Sequence, residues 1–335
     1  MKRILVLLAF VSSILAEDSK PYTPPTASAE VSELKLDWHD SARDRPVPVK
    51  LYFPKDGAGP FPIIIFSHGL GGSRDNYAYL GKHWAGCGYV SVHVQHLGSD
   101  DGVWRDVSLA ERAKALQKAA MNISNATNRP LDAQFAMDQM VKLNADSTSP
   151  LKGRLDVQAF AIAGHSFGGF TTLALAGQTF MLPLGRSKRY DEPRLKAAIQ
   201  MSAPAPTRRT DLDQVYGSIT VPTMHMTGTE DFVEILPQTK PADRRIPFDH
   251  MSAAETCLVI FNGGDHMIFS GRERQGSEGE RSQDEVFHKL ICAGSTAFWD
   301  AYLKGDFAAK EWVMGSGYAK LLGQQAIYER KVPAR

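Results

Sequence analysis

The six residues Gly164-His165-Ser166-Phe167-Gly168-Gly169 constrain this chain more than any other stretch. Before them, Val157 to Ala163 is a short apolar run suited to a buried strand; after them, Phe170 to Ala176 has no helix breaker until Gly177. A strand that turns this tightly into a helix brings neighbouring backbone segments very close. Glycine two positions before and two after the serine is then required, because a Cβ there would collide. The Ser166 hydroxyl is expected at the carboxyl end of a sheet, beside a helix N-terminus whose free N–H groups favour negative charge. Ser166 is the candidate nucleophile.

The rest of the chain has to build the sheet. At 335 residues, with 43% hydrophobic and 22% charged residues, it can bury a large core and is not a disordered polymer. Lys and Arg number 38 against 37 Asp and Glu, a net charge of +1, which gives no reason to expect nucleic acid or an anionic membrane as partner. Lys2-Arg3, the apolar run Ile4 to Leu15, and Ala16 before Glu17-Asp18 have the form of a signal peptide over residues 1–16, too short to span a bilayer comfortably. A secreted or periplasmic protein is expected, with no stable membrane insertion after cleavage. Residues 17–30, with Pro21, Pro24 and Pro25, read as a linker, and 31–335 as a single α/β domain. Cys87, Cys257 and Cys292 permit at most one internal disulfide. Cys257 and Cys292 could pair in an oxidising compartment, whereas Cys87 reads as a buried free thiol. No cysteine spacing suggests a metal site, and no cofactor or metal is expected.

Eight segments have strand character. Glu33 to Trp38 and Val47 to Phe53 alternate apolar and polar residues, as an antiparallel hairpin at a sheet edge would, and Pro46 and Pro48 are tolerable only at such an edge. Pro62 to Ser67, Tyr89 to Val94, the strand before Gly164, Leu195 to Met201, Pro222 to Thr227 and Cys257 to Phe261 follow. Helices are expected from about Asp75 to Ala85 and from Gln283 to Leu303, the last element. Alternating strands and helices after an initial hairpin imply a mostly parallel, doubly wound sheet of about eight strands with an antiparallel N-terminal edge. A helical insertion occupies roughly 98–156: Leu109 to Met121 and Leu131 to Leu143 have helical spacing, joined by Asn122 to Thr127. The sequons at Asn122 and Asn125 read as helix-end polar residues.

A serine nucleophile needs a base, a group to orient the base, and donors for an oxyanion. His266, in Asn262-Gly263-Gly264-Asp265-His266-Met267, lies just past the last expected strand, at the sheet edge that exposes Ser166. Asp231, in Gly228-Thr229-Glu230-Asp231, follows the strand before it; Glu230 is its competitor, and Asp265 is too close to His266 to orient it. The order Ser, Asp, His is the one expected for a nucleophile in an elbow. The turn Ser67-His68-Gly69-Leu70-Gly71-Gly72 can point N–H groups into the site, so the N–H groups of Leu70 and Phe167 are the expected oxyanion donors. His68 is expected to orient that turn. His93 and His96, three apart on a strand, face opposite sides and do not make a ligand pair. Trp104, Phe232, Met267 and Phe269 are apolar candidates for contact with an acyl or alcohol group.

With these parts in place, the chain resembles the α/β-hydrolase superfamily, and within it the branch of the platelet-activating-factor acetylhydrolases and bacterial dienelactone-hydrolase-like esterases. Phe66-Ser67-His68-Gly69-Leu70-Gly71 and Gly164 to Gly169 carry the resemblance, and Phe298 to Gly305 looks like the closing helix of the bacterial members. The resemblance implies an α/β-hydrolase fold and a serine carboxylic ester hydrolase working through an acyl-enzyme on a small-molecule or lipid-like ester. A polyester or cutin hydrolase and a phospholipid acetylhydrolase are the alternatives, and a catalytically silent binding protein is the alternative from another class. The sequence departs from the acetylhydrolases at Gln200-Met201-Ser202-Ala203, where their acid would fall and no carboxylate stands, so the role passes to Asp231 on the next strand, as in polyester hydrolases and cutinases. It departs from the dienelactone hydrolases in having serine, not cysteine, at the elbow.

Overall fold

A computed structural model describes residues 21–206, 208–233, 239–271 and 278–333, with the side chains of 278–282 excepted. The expected signal peptide and the start of the linker lie outside the described residues. In chain order the elements are β1 (Val31–Asp40), β2 (Arg45–Pro54), β3 (Phe61–Ser67), α1 (Ala78–Gly86), β4 (Val90–Val94), α2 (Leu109–Ala120), α3 (Ile123–Ala145), β5 (Leu155–His165) and α4 (Phe167–Ala176). A two-residue ribbon follows, β6 (Phe180–Met181) with β7 (Ser187–Lys188). Then come β8 (Leu195–Met201), α5 (Leu212–Tyr216), β9 (Thr223–Glu230), α6 (Ile246–His250), β10 (Thr256–Asp265), α7 (Glu278–Leu303), α8 (Phe307–Met314), α9 (Gly317–Leu322) and β11 (Ala326–Lys331).

The main sheet has nine strands in the order β1-β2-β4-β3-β5-β8-β9-β10-β11. Neighbours from β4 to β10 are parallel, and both flanks, β1-β2 and β11, are antiparallel. The strands are apolar on both faces because both faces are covered. In β3, Ile63 and Ile65 join one core with Ala133, Met137 and Met140 of α3. Ile64 and Phe66 join the other with Leu80 and Trp84 of α1 and Phe298 and Trp299 of α7. Parallel strands put all their carboxyl ends along one edge, and that edge carries the candidate site.

Several expectations need correction. The ninth strand, β11, was not anticipated: Ala326 alone in it is buried and Ile327 is 49% exposed, so it has little of the apolar alternation that marks a strand. Two helices, α8 and α9, follow the helix expected to be last. Strand β2 is not an edge strand, since it pairs with both β1 and β4. Its prolines survive because the β4 ladder covers only Val49 to Tyr52. The Pro48 carbonyl, which faces β4, accepts from Gln95 N–H at 2.9 Å, and the missing Pro46 and Pro48 donors fall beyond the Val49 to Tyr52 ladder. The second insertion helix starts at Ile123, not Leu131: Asn122 caps it by accepting from Ser124 N–H at 2.9 Å, and Pro130 lies inside it. Asn125 is buried, its amide donating to the carbonyls of Gly98 and Ala119 at 2.8 and 2.9 Å. All three cysteines are free thiols, so Cys257 and Cys292 are not paired.

Candidate active site

Ser166 stands between β5 and α4 with φ 57° and ψ −117°, a left-handed backbone that a non-glycine residue adopts only when its surroundings impose it. The crowding around it is visible at its glycines. A Cβ on Gly164 would come within 2.3 Å of the Gly168 carbonyl oxygen, and one on Gly168 within 1.8 Å of the Ser67 carbonyl oxygen. The elbow is thus wedged against the end of β3, which leads into the Gly69 to Gly72 turn. Ser166 N–H is spent on the Met201 carbonyl at 2.8 Å.

His266 follows β10, which runs on through Asp265 after a shift in register, so the expected loop is largely strand. His266 Nδ1 lies 2.6 Å from Asp231 Oδ1. Asp231 is fully buried, and four groups hold its carboxylate. Oδ1 takes His266 and Arg244 Nη2 at 3.1 Å; Oδ2 takes the hydroxyls of Ser202 at 2.5 Å and Thr227 at 2.7 Å. Burial alone would push its pKa up. The hydrogen bond and charge of His266, with Arg244 and Ser202, outweigh that and hold it well below the usual carboxylate range. With Nδ1 donating to Asp231, His266 presents Nε2 as the acceptor. Arg244 Nη2 also lies 3.4 Å from His266 Nδ1, a proximity of two donors that share Oδ1 rather than a bond between them. Glu230 is exposed, and Asp265 Oδ1 accepts from Met267 N–H at 2.8 Å. Of the three carboxylates, Asp231 is the one that meets the imidazole.

Ser202 occupies the position after β8 where an acetylhydrolase acid was expected. It has φ 51°, and its hydroxyl reaches across to Asp231. The place without a carboxylate therefore supplies a donor to the carboxylate from the neighbouring strand.

Ser166 and His266 line one cavity of about 370 Å³. No hydrogen bond joins the hydroxyl to the ring among the described residues, and such bonds are often long before substrate is present. The turn amides divide clearly. Gly69 N–H donates to Tyr77 Oη at 3.3 Å, Gly71 N–H to the Ser99 carbonyl at 2.9 Å, and Gly72 N–H to the Gly69 carbonyl at 3.1 Å. The N–H groups of Leu70 and Phe167 have no acceptor among the described residues. His68 orients the turn: one ring nitrogen contacts the Gly69 carbonyl at 2.6 Å and the other accepts from His96 N–H at 3.1 Å, and burial drives its pKa far down.

Three residues that sequence reasoning passed over tie these parts together. Tyr77 donates to His165 Nδ1 at 2.8 Å, and His165 Nε2 donates to the His266 carbonyl at 2.8 Å. A chain of hydrogen bonds thus runs from the Gly69 amide through Tyr77 and His165 to the backbone of His266. Burial first, then the proximity of His266 and Arg244, holds the His165 pKa well below its usual value and keeps the ring neutral, as this chain requires. Arg129, fully buried on α3, donates to Ser99 Oγ at 2.8 Å, to Thr171 Oγ1 at 3.1 Å and to the His68 carbonyl, and lies 4.5 Å from the Phe167 ring centre. Burial pulls its guanidinium down to about 9 against the favourable charge of Asp132.

Of the apolar candidates, Trp104 and Met267 line the cavity. Phe269 is instead core, fully buried against His165, and Phe232 is 63% exposed. His93 and His96 do not converge: His93 contacts the Asn76 carbonyl and Ser91, His96 contacts Ser67 and Asp132.

Sheet order, elbow and strand-end residues together decide the fold. The chain has an α/β-hydrolase fold. Two family descriptions match complementary parts of it: "PET hydrolase-like" over residues 119–278, which contain Ser166, Asp231 and His266, and "Platelet-activating factor acetylhydrolase, isoform II" over 44–127, which contain the Gly69 to Gly72 turn. The chain is 30% identical to a platelet-activating factor acetylhydrolase of Cavia porcellus over 150 residues, 38% of this chain and 34% of that one. It is 25% identical to cutinase est2 of Thermobifida alba over 217 residues, 64% of this chain and 56% of that one. The match spans from about a third to just over half the length of these curated relatives. Within the α/β-hydrolase fold, the likeness is to the branch that holds esterases of both kinds.

Proposed function

We propose that the chain is an exported serine ester hydrolase in which Ser166, Asp231 and His266 act as a triad. His266 Nε2 takes the Ser166 proton as the hydroxyl attacks an ester carbonyl, and the N–H groups of Leu70 and Phe167 hold the oxyanion. The imidazolium, steadied by Asp231, protonates the leaving alcohol. The ring then takes a proton from water as it attacks the acyl-enzyme, and returns that proton to the Ser166 oxygen as the carboxylic acid leaves. Asp231 stays ionised throughout, consistent with its four donors. In this reading residues 1–16 direct export and 31–335 form one catalytic domain.

The observation that carries the proposal is the 2.6 Å contact between His266 and Asp231 on the cavity that also receives the strained Ser166. The test is turnover of p-nitrophenyl esters of increasing chain length by the wild type and by Ser166→Ala. The variant should lose about 10⁴-fold or more in kcat, and a fluorophosphonate should label Ser166 in the wild type alone. Undiminished turnover by Ser166→Ala overturns the reading. A polyester or cutin substrate is the second reading, supported by the PET hydrolase-like match across all three triad positions. Release of soluble product from a polymer film, compared with the short-chain ester rate, separates it from an acetylhydrolase of phospholipids.

A further inference from the structure

We propose that Arg112 gives this site a preference for esters bearing an anionic group, a carboxylate or a phosphate, beyond the scissile bond. The inference rests on the ester hydrolase reading above and extends it to a substrate class.

Arg112 comes from α2, in the helical insertion, and lines the cavity together with Trp104 and Leu116. The wall is anchored to the chemistry, because Trp104 Nε1 donates to the Gly71 carbonyl at 2.8 Å, in the turn that presents the Leu70 amide. The Arg112 guanidinium carbon lies 5.1 Å from the Trp104 ring centre. Among the described residues its one hydrogen bond is a long one, Nε to the Val107 carbonyl at 3.5 Å, and no carboxylate pairs with it. The other arginines around the site are committed: Arg105 to Asp101, Arg244 to Asp231, and Arg129 to the hydroxyls and carbonyl beneath the turn. Among the described residues, no Asp or Glu lines this cavity.

A guanidinium stacked on an indole keeps its outer N–H groups in a fixed fork, the geometry that a planar carboxylate or a phosphate accepts. The apolar side chains beside it in the lining, Trp104, Leu116 and Met267, lower the local dielectric and strengthen that attraction. The cavity thus offers apolar contacts together with one guanidinium for a negative charge.

The experiment compares kcat/KM for matched pairs: mono-p-nitrophenyl adipate against p-nitrophenyl hexanoate for a carboxylate, and a short-chain acetyl phosphatidic acid against the corresponding neutral glyceride for a phosphate. Each enzyme is scored by its charged-to-neutral ratio, which does not depend on how much of the preparation is folded. In Arg112→Gln the ratio should fall about tenfold in at least one arm, Arg112→Lys should restore part of it, and added salt should lower the wild-type ratio. The arm that responds names the anion. A ratio that Arg112→Gln leaves unchanged in both arms overturns the inference while the ester hydrolase reading stands. Failure of the wild type to hydrolyse either neutral ester removes both.

Discussion

Two helices of similar length meet the site, α4 through its N-cap Ser166 and α2 through Arg112 and Leu116, and differ in almost everything else. In α4 every residue but Phe167 and Phe170 is buried. In α2, which carries Arg112 and Leu116, Ala119 alone is buried, and Leu109 is 81% exposed. Helix α4 sits under the carboxyl edge of the sheet, where Gly168 leaves no room for a Cβ beside the Ser67 carbonyl. Helix α2 rests on the outside of the same cavity with few partners. The fold thus holds Ser166 against closely packed, buried backbone and forms part of the wall from a segment whose side chains are free to change without disturbing the sheet. In the proposed function, chemistry and selectivity fall in separate places.

The largest expected effect lies on the rigid side. Asp231→Asn should cost about 10⁴-fold in kcat, because an amide cannot hold His266 in the tautomer that leaves Nε2 free and does not stabilise the imidazolium. Glu230→Gln, one residue away and exposed, should leave kcat close to wild type. If the two variants lose activity equally, the assignment of the orienting acid to the end of β9 fails. The comparison of helices would then lose its premise that burial marks the working groups.

A smaller effect tests how the rigid side is braced. Arg129→Met removes a buried guanidinium and leaves Ser67, Ser99, Thr171 and the His68 carbonyl short of a donor. Denaturant unfolding should show a loss on the order of 2–4 kcal/mol. Arg112→Gln, on the loosely packed helix, should change stability by less than about 0.5 kcal/mol. Similar losses from both substitutions would mean that α2 is integral to the core after all.

How far the sequence discloses these features depends on what marks them. The elbow is legible because its geometry demands glycine at fixed places, and a backbone constraint leaves a residue signature. Asp231 and His266 are legible because parallel strands deliver their carboxyl ends to one edge, so position alone selects them. Tyr77 and His165 leave no such mark: an aromatic after a turn and the variable residue of the elbow motif become a relay only when the chain is folded. Arg129 did leave a trace. It and Asp132 fall on the same stripe of α3 as Ala133, Ala136, Met137 and Met140, all buried, and a charge on an apolar stripe signals a buried polar network. Strand β11 escaped notice because its outer face is polar and its partner, β10, is distant along the chain.

An effect seen only on acidification comes from histidines built into the sheet region. Burial pushes the imidazoles of His93 and His225 down to about 3; that of His96 is pushed down to about 4, by burial first and the nearby Arg129 second. In the unfolded chain each titrates near ~6.5. Below that pH the unfolded state binds protons that the folded state refuses, so the stabilisation is complete above ~6.5 and falls as the solution is acidified towards the folded values. Each histidine then contributes a slope of up to about 1.4 kcal/mol per pH unit. Asp132 adds a later loss. Burial alone would raise its pKa, but hydrogen bonds from His96 and Arg45 hold it at about 2, so its contribution disappears only below ~4. Unfolding free energy measured by denaturant from pH 7.5 to 5 should therefore fall well before the carboxylates titrate, and Arg112→Gln should show the same slope as the wild type. A stability that stays flat down to pH 5 would mean that these rings gain protons without unfolding, and that the sheet side of the molecule is looser than α4 makes it look.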